Sequence, residues 1–286
     1  SNIEYDILAI TATEPRPMAC PGFGGCSPVY SYLAHLECTQ CGKTYPAGAL
    51  STVSPCCSKV LFARYDLPKL GREVDRDAVE RRTGGMWRFA ELLPVEDPAN
   101  VVTLGEGGTP LLEATNLGKR LGLTRLFIKE EGLNPTGTFK ARGISAAISR
   151  AGELGAAGLT MPSAGNAAGA AAAYCARGGM ELKVFMPRDV PDANKKECLL
   201  TGSEMNLVDG LIGDAGRLAV AVAGEQGLFD LSTLKEPYRA EGKKTMGLEI
   251  ALQLGWKLPG AIVYPTGGGT GIIGMYKAFQ ELLELG

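Results

Sequence analysis

The chain has 286 residues, 45% of them hydrophobic, with 29 basic and 31 acidic side chains intermixed and a formal net charge of -2. That length buries a large core and has room for more than one domain. The even charge mixture excludes a dedicated nucleic-acid binder, and no apolar stretch approaches a membrane span, so neither nucleic acid nor membrane is an expected partner. No signal peptide opens the chain, and the expected localisation is cytoplasmic.

Residues 1 to 37 are rich in Pro and Gly, irregular, and suggest no task of their own. The single histidine, His35, falls there. A Ser-His-Asp hydrolase or a His-based metal catalyst would have to rely on it alone, so proton transfer falls to Lys, Asp, Glu or Tyr. Residues 38 to 67 read as short strands around a cysteine knuckle, Cys38-x-x-Cys41, followed after fourteen residues by Cys56-Cys57. Two readings stay open. Cys38, Cys41, Cys56 and Cys57 hold a structural zinc, although an adjacent pair closes a metal shell less easily than a second Cys-x-x-Cys. Alternatively, the four thiols stay reduced in a ribbon-shaped hairpin. Cys20 and Cys26 are substitute ligands, and Cys175 and Cys198 read as core.

Arg72 to Arg82 is a charged helix candidate, and Arg88 to Leu93 continues the helical layer. From Leu126 onward apolar runs alternate with helical segments. Strands are expected at 126–130, 158–162, 182–186, 204–208 and 261–264, with helices near 138–152, 166–178, 192–201, 211–226 and 240–255. Such alternation implies parallel sheets flanked by helices.

Three segments carry chemistry. Asn134-Pro-Thr-Gly-Thr-Phe-Lys140-Ala-Arg-Gly143 places a lysine just inside a helix start, where the helix dipole pushes it toward the neutral amine a Schiff base needs. The same pattern also occurs on solvated helix starts. Pro162-Ser-Ala-Gly165-Asn166-Ala-Ala-Gly169 runs from a strand through a small-residue turn into an Ala-rich helix, presenting backbone N–H groups to an anion. On its own it is equally an ordinary capped loop. Thr266-Gly267-Gly268-Gly269-Thr270-Gly271 delivers a glycine run onto a helix N-terminus, a phosphate cup that matches neither the P-loop nor Gly-x-Gly-x-x-Gly.

Together the lysine segment, the Ser-x-Gly-Asn loop and the glycine cup resemble the pyridoxal-phosphate enzymes of the tryptophan synthase β-subunit fold, fold type II. Gly105-Glu-Gly-Gly-Thr109-Pro110-Leu111, Tyr238-Arg239-Ala-Glu241-Gly242-Lys243-Lys244-Thr245 and the cysteine knuckle narrow the resemblance to the threonine synthase family. It spans most of residues 38 to 286. It implies an α/β fold of two parallel-sheet, three-layer domains with the cofactor in the cleft between them, plus the N-terminal cysteine ribbon within 1–97. The large domain would comprise 98–132 and 229–286, and the small inserted domain 133–228. Lys140 would carry the Schiff base, and Phe139 would pack on the cofactor ring. Asn166 would hydrogen-bond the phenolic oxygen, and Gly267, Gly268, Gly269, Thr270 and Gly271 would hold the phosphate. Ser163, Ala164, Gly165, Asn166 and Ala167 would take the substrate carboxylate, with Thr109 as a further substrate contact. Thr109, Lys195, Lys196, Lys243 and Lys244 are candidates for the substrate phosphate, each equally readable as solvated surface.

The implied reaction converts O-phosphohomoserine and water to threonine and phosphate, in a homodimer. The alternatives are β-replacement on O-phosphoserine, as in a cysteate synthase, and a truncated, non-catalytic relative. Two departures stand out. Ala141 occupies the place of an Asp frequent in the family, and the chain ends at Gly286, one helix past the cup, where the family continues.

Overall fold

The computed structural model describes residues 29–286; Cys20, Cys26 and most of the first irregular segment lie outside the described residues. The ribbon is three-stranded, β1 (Leu33–Cys38), β2 (Thr44–Tyr45) and β3 (Leu61–Tyr65), antiparallel in the order β2-β1-β3. Leu61, Ala63 and Tyr65 of β3 are buried while Phe62 and Arg64 between them are half-buried, the period-2 pattern of a sheet with one face on the core. Two short helices follow, α1 (Leu67–Glu73) and α2 (Arg76–Arg81). The single charged helix expected over 72–82 is divided there because Val74 is extended and Asp75 caps α2 by accepting from the Asp77 amide. A 3₁₀ stretch, Met86–Leu92, takes the place of the helical layer expected after Arg88. Next come β4 (Leu111–Glu113), α3 (Thr115–Leu121) and β5 (Phe127–Lys129), with β4 and β5 antiparallel.

The alternating part follows the expected order: α4 (Lys140–Glu153), β6 (Gly158–Pro162), α5 (Asn166–Gly178), β7 (Glu181–Pro187), α6 (Asp192–Leu200), β8 (Glu204–Val208), α7 (Ile212–Gln226) and β9 (Phe229–Asp230). The strands form one parallel sheet in the order β8-β7-β6-β9, with Leu159 opposite both Leu182 and Phe229. The protein is thus α/β with a parallel sheet and an N-terminal cysteine cluster. Residues 261–264 form no strand, because a ladder needs a neighbour and no described strand lies beside them. Val263 is 99% exposed. Among the described residues, no helix is long and apolar enough to cross a membrane.

Two last helices, α8 (Tyr238–Gln253) and α9 (Thr270–Leu285), pack on each other, and α8 packs on α4. The approach is close enough to require glycine. A Cβ on Gly242 would stand 2.0 Å from the Arg142 carbonyl, and one on Gly274 2.7 Å from that of Ala240. Residues Tyr238 to Ala251 are all buried, although they include Arg239, Glu241, Lys243, Lys244 and Glu249. Burying that many charges is tolerable only if they are paired. Lys244 and Lys277 share Glu241 and Glu281, and Glu249 pairs with Arg142 and Lys129.

Arg142 has no exposed surface. Its guanidinium donates to Glu131 at 2.7 and 2.8 Å, to Glu249 at 2.7 Å through each terminal nitrogen, and to the hydroxyls of Thr109 and Thr245. This sets Glu249 low, at about 2 against an ordinary 4.5, through Arg142 and then Lys129, even though burial pushes the other way. A carboxylate depressed in the folded state stabilises above its unfolded value, and that stability fades as pH falls from 4.5 toward 2. We expect Arg142→Leu to cost about 3–5 kcal/mol at neutral pH, the usual result of leaving a buried charge unpaired. Chemical denaturation should also show the acid-dependent loss of stability weakened in the variant, and a second change, Glu249→Gln, should recover part of the loss.

Candidate functional site

Lys140 is the first residue of α4, reached through a turn in which Gly137 has φ +66°. Its amine lies 3.7 Å above the centre of the Phe139 ring. From α8, the Lys243 amine approaches the same ring at 5.1 Å and hydrogen-bonds the Thr270 hydroxyl. Thr270 opens α9, directly after the glycine run, and Gly269 before it has φ +79°. The N-terminus of this helix, the loop 267–271 and the two lysines therefore meet in one cleft. About 60 Å³ remains free there, lined also by Arg239, Tyr264, Thr233 and Ala167.

The electrostatics are strongly one-sided. Burial lowers the pKa of Lys140, and Arg239 adds to the effect. Lys243 is pushed down to about 6, by burial first and then by Arg239 and Lys140. Arg239 is itself buried, donating to the Leu231 carbonyl at 2.7 Å and to Thr233. Among the carboxylates, Glu236 answers this charge, but burial raises it to about 7 and its oxygens accept the amides of Tyr238 and Arg239. Arg239 and two amines of lowered pKa, which an anion would favour in their charged form, converge on a helix N-terminus and suit a dianion.

The sequence-predicted residues divide into two groups. Phe139, Lys140, Ala167, Gly267, Gly268, Gly269, Thr270 and Gly271 line the cleft together. Ser163, Ala164, Gly165 and Asn166 form the β6–α5 turn but do not line it. The Ser163 hydroxyl and the backbone of Gly165 bond each other, while Ala164 and Asn166 are exposed. Thr109 also lies elsewhere, buried, donating to Glu131 at 2.6 Å and accepting from Arg142. Of the lysines considered for substrate phosphate, only Lys243 faces the cleft. Lys244 is buried between Glu241 and Glu281, Lys195 pairs with Asp192, and Lys196 is exposed. Sequence reasoning missed Arg239, Thr233, Tyr264 and Glu236. A signal existed for Arg239, which stands one helical turn before Lys243 and so shares its face. Away from the cleft, the four cysteine sulfurs of Cys38, Cys41, Cys56 and Cys57 lie within 4.8 Å of one another.

The family model described as "Pyridoxal-phosphate dependent enzyme" matches residues 102–285. The threonine synthase of Methanocaldococcus jannaschii is 36% identical over 247 residues, 86% of this chain and 60% of the relative. That of Methanosarcina acetivorans is 35% identical over 255 residues, 89% and 62%. The chain thus spans about 60% of the length of these curated relatives. Among solved structures, a threonine deaminase from T.th. aligns with a TM-score of 0.53 at 32% identity, covering 62% of this chain and 56% of the other. Maize serine racemase aligns with a TM-score of 0.55 at 27% identity, covering 59% and 51%.

The residues fit pyridoxal phosphate. The cup is built where side chains cannot go: a Cβ on Gly268 would stand 2.5 Å from the Thr233 methyl, and one on Gly271 1.9 Å from the Tyr264 hydroxyl. Two buried polar groups at the cleft, the Tyr264 hydroxyl and the Arg239 Nε, lack a protein partner, which leaves them for a ligand. The Tyr264 and Phe139 rings meet edge to face at 5.7 Å, an apolar wall for an aromatic ring. An anion in the cup favours the charged form of Lys243 and raises its pKa from about 6. Binding of inorganic phosphate near pH 7 should therefore draw a proton onto Lys243. Calorimetry in buffers of different ionisation enthalpy should show this uptake, and Lys243→Met should lower it by a large fraction of one proton.

Proposed function

Because this chain belongs to the pyridoxal-phosphate dependent enzyme family, we propose that it catalyses conversion of O-phospho-L-homoserine and water to L-threonine and phosphate. One observation carries this reading: two amines of lowered pKa, Lys140 and Lys243, share one aromatic ring beside a glycine cup at a helix N-terminus. The named threonine synthases among its relatives support the choice of substrate.

Bound in this cleft, pyridoxal phosphate supplies an electron sink for negative charge developing on the substrate carbons. The amides of Gly267 to Gly271 and the Thr270 hydroxyl would hold its phosphate, which Lys243 would neutralise by taking up a proton. Phe139 and Tyr264 exclude water from one wall of the ring. Lys140, half-buried with its pKa lowered, would hold the cofactor through Nζ and move protons at the substrate α-carbon and its neighbours. The turn from Ser163 to Ala167 would take the substrate carboxylate with its backbone amides, and Asn166 would take the phenolic oxygen. Ala167 already stands at the cleft wall, so a modest approach of this turn would bring its neighbours in. Thr109 acts through Glu131 and Arg142 and positions the lysine segment. On this reading residues 133–228 form the smaller unit and 98–132 with 229–286 the larger, with the cleft between them.

The protein incubated with pyridoxal phosphate should release phosphate from O-phosphohomoserine and form threonine, and Lys140→Ala should reduce that rate by about 10³-fold or more. Turnover of O-phosphoserine in its place would move the assignment to β-replacement. Unchanged turnover in Lys140→Ala would sink it.

A further inference from the structure

The cysteine ribbon takes no part in the chemistry above, yet its four thiols are gathered more tightly than packing requires. We propose that Cys38, Cys41, Cys56 and Cys57 hold one Zn²⁺ as a closed tetrathiolate site that fixes the ribbon against α8 and α9.

All four Sγ atoms lie within 4.8 Å of one another, and those of Cys41 and Cys56 are 3.4 Å apart. Four thiolates at a Zn–S distance of about 2.3 Å stand about 3.8 Å from each other in a tetrahedron, so the cluster already has the size of the shell. Adjacency of Cys56 and Cys57 is no obstacle, because both sit in the turn between Val53 and Val60, whose bridge closes the loop. Turns frame the site on both sides. Gly42, at φ +72°, donates to the Cys38 carbonyl, and Ser58, at φ +52°, donates to that of Ser54. The Cys38 sulfur also hydrogen-bonds the Ser54 hydroxyl at 3.2 Å, a bond that a thiolate would accept. Such bonds spread thiolate charge around a metal. A shell made only of thiolates selects a soft metal, and a full set of four protein ligands makes the site structural.

The placement explains what the metal would do. Cys38 is 1% exposed and belongs to the main core with Leu36, Leu61 and Ala63. Strand β3 leaves the cluster and presents the Ala63 carbonyl to the Lys277 amine, and the Tyr65 ring to the Lys244 amine at 4.0 Å. Lys277 is on α9, whose first residue completes the phosphate cup, and Lys244 follows Lys243 on α8.

The test is metal analysis of the whole chain purified without chelators. The expected result is one zinc per chain, with cobalt exchange giving the intense visible bands of a tetrahedral thiolate site. The double variant Cys41→Ser, Cys56→Ser, which alters only exposed positions, should lose stoichiometric metal, while Cys175→Ser keeps it. Chelation should lower the Tm by about 5 °C or more, and added zinc should restore it. Zinc-free protein with four freely titrating thiols, a Cys41–Cys56 disulfide, or iron in place of zinc would each overturn the proposal.

Discussion

Arg142 is the constraint on which the site depends. Its guanidinium reaches residues far apart in the chain: Thr109 just before β4, Glu131 before the lysine segment, and Thr245 and Glu249 on α8. Lys140 stands two places earlier on the same helix, so the lysine is held wherever these carboxylates hold Arg142. Such a network is not chiefly a source of stability, since an apolar replacement of the whole set could match it. Its effect is positional. Every donor of the fork meets an oxygen, and sliding α4 against α8 by one residue would leave charges buried without partners.

The same packing explains why the cleft is reactive. Helix α8 enters the interior carrying Arg239 and Lys243 on one face and Lys244 and Glu249 elsewhere around its circumference. Lys244 and Glu249 are fully paired, whereas Lys243 is opposed, among the described residues, by Glu236 and is surrounded by Arg239 and Lys140. Paired charges build the scaffold, and the unbalanced ones build the ligand site. A dianionic phosphate resolves the imbalance.

Strands β6, β7 and β8 were legible because each is a short apolar run bounded by turn residues, and the helices between them because their breaks carry Gly or Pro. Lys140 and the glycine cup were legible because both sit at helix N-termini, whose chemistry is local. What escaped was non-local. Helix α8 looks solvated in sequence, and its burial follows only from partners such as Glu249 and Arg142, separated by 107 positions. Residues 261–264 have strand composition but no neighbour to pair with, and Val74 divides a helix that charge periodicity alone would continue. The cysteines are the reverse case. Adjacency of Cys56 and Cys57 weighed against a shared shell, whereas the fold brings all four sulfurs within 4.8 Å of one another.

Two amines in one cleft make the central claim sharply testable. Lys243 has the pKa lowered to about 6, but it hydrogen-bonds Thr270 in the phosphate cup, where an arriving phosphate recharges it. Lys140 makes no such bond to the cup, and burial and then Arg239 shift it toward the unprotonated amine that an aldehyde would require. The most direct measurement is borohydride reduction of the protein with pyridoxal phosphate, followed by peptide mass mapping. A single pyridoxyl group on Lys140 is the predicted result. A group on Lys243, or adducts scattered over surface lysines, would contradict the account.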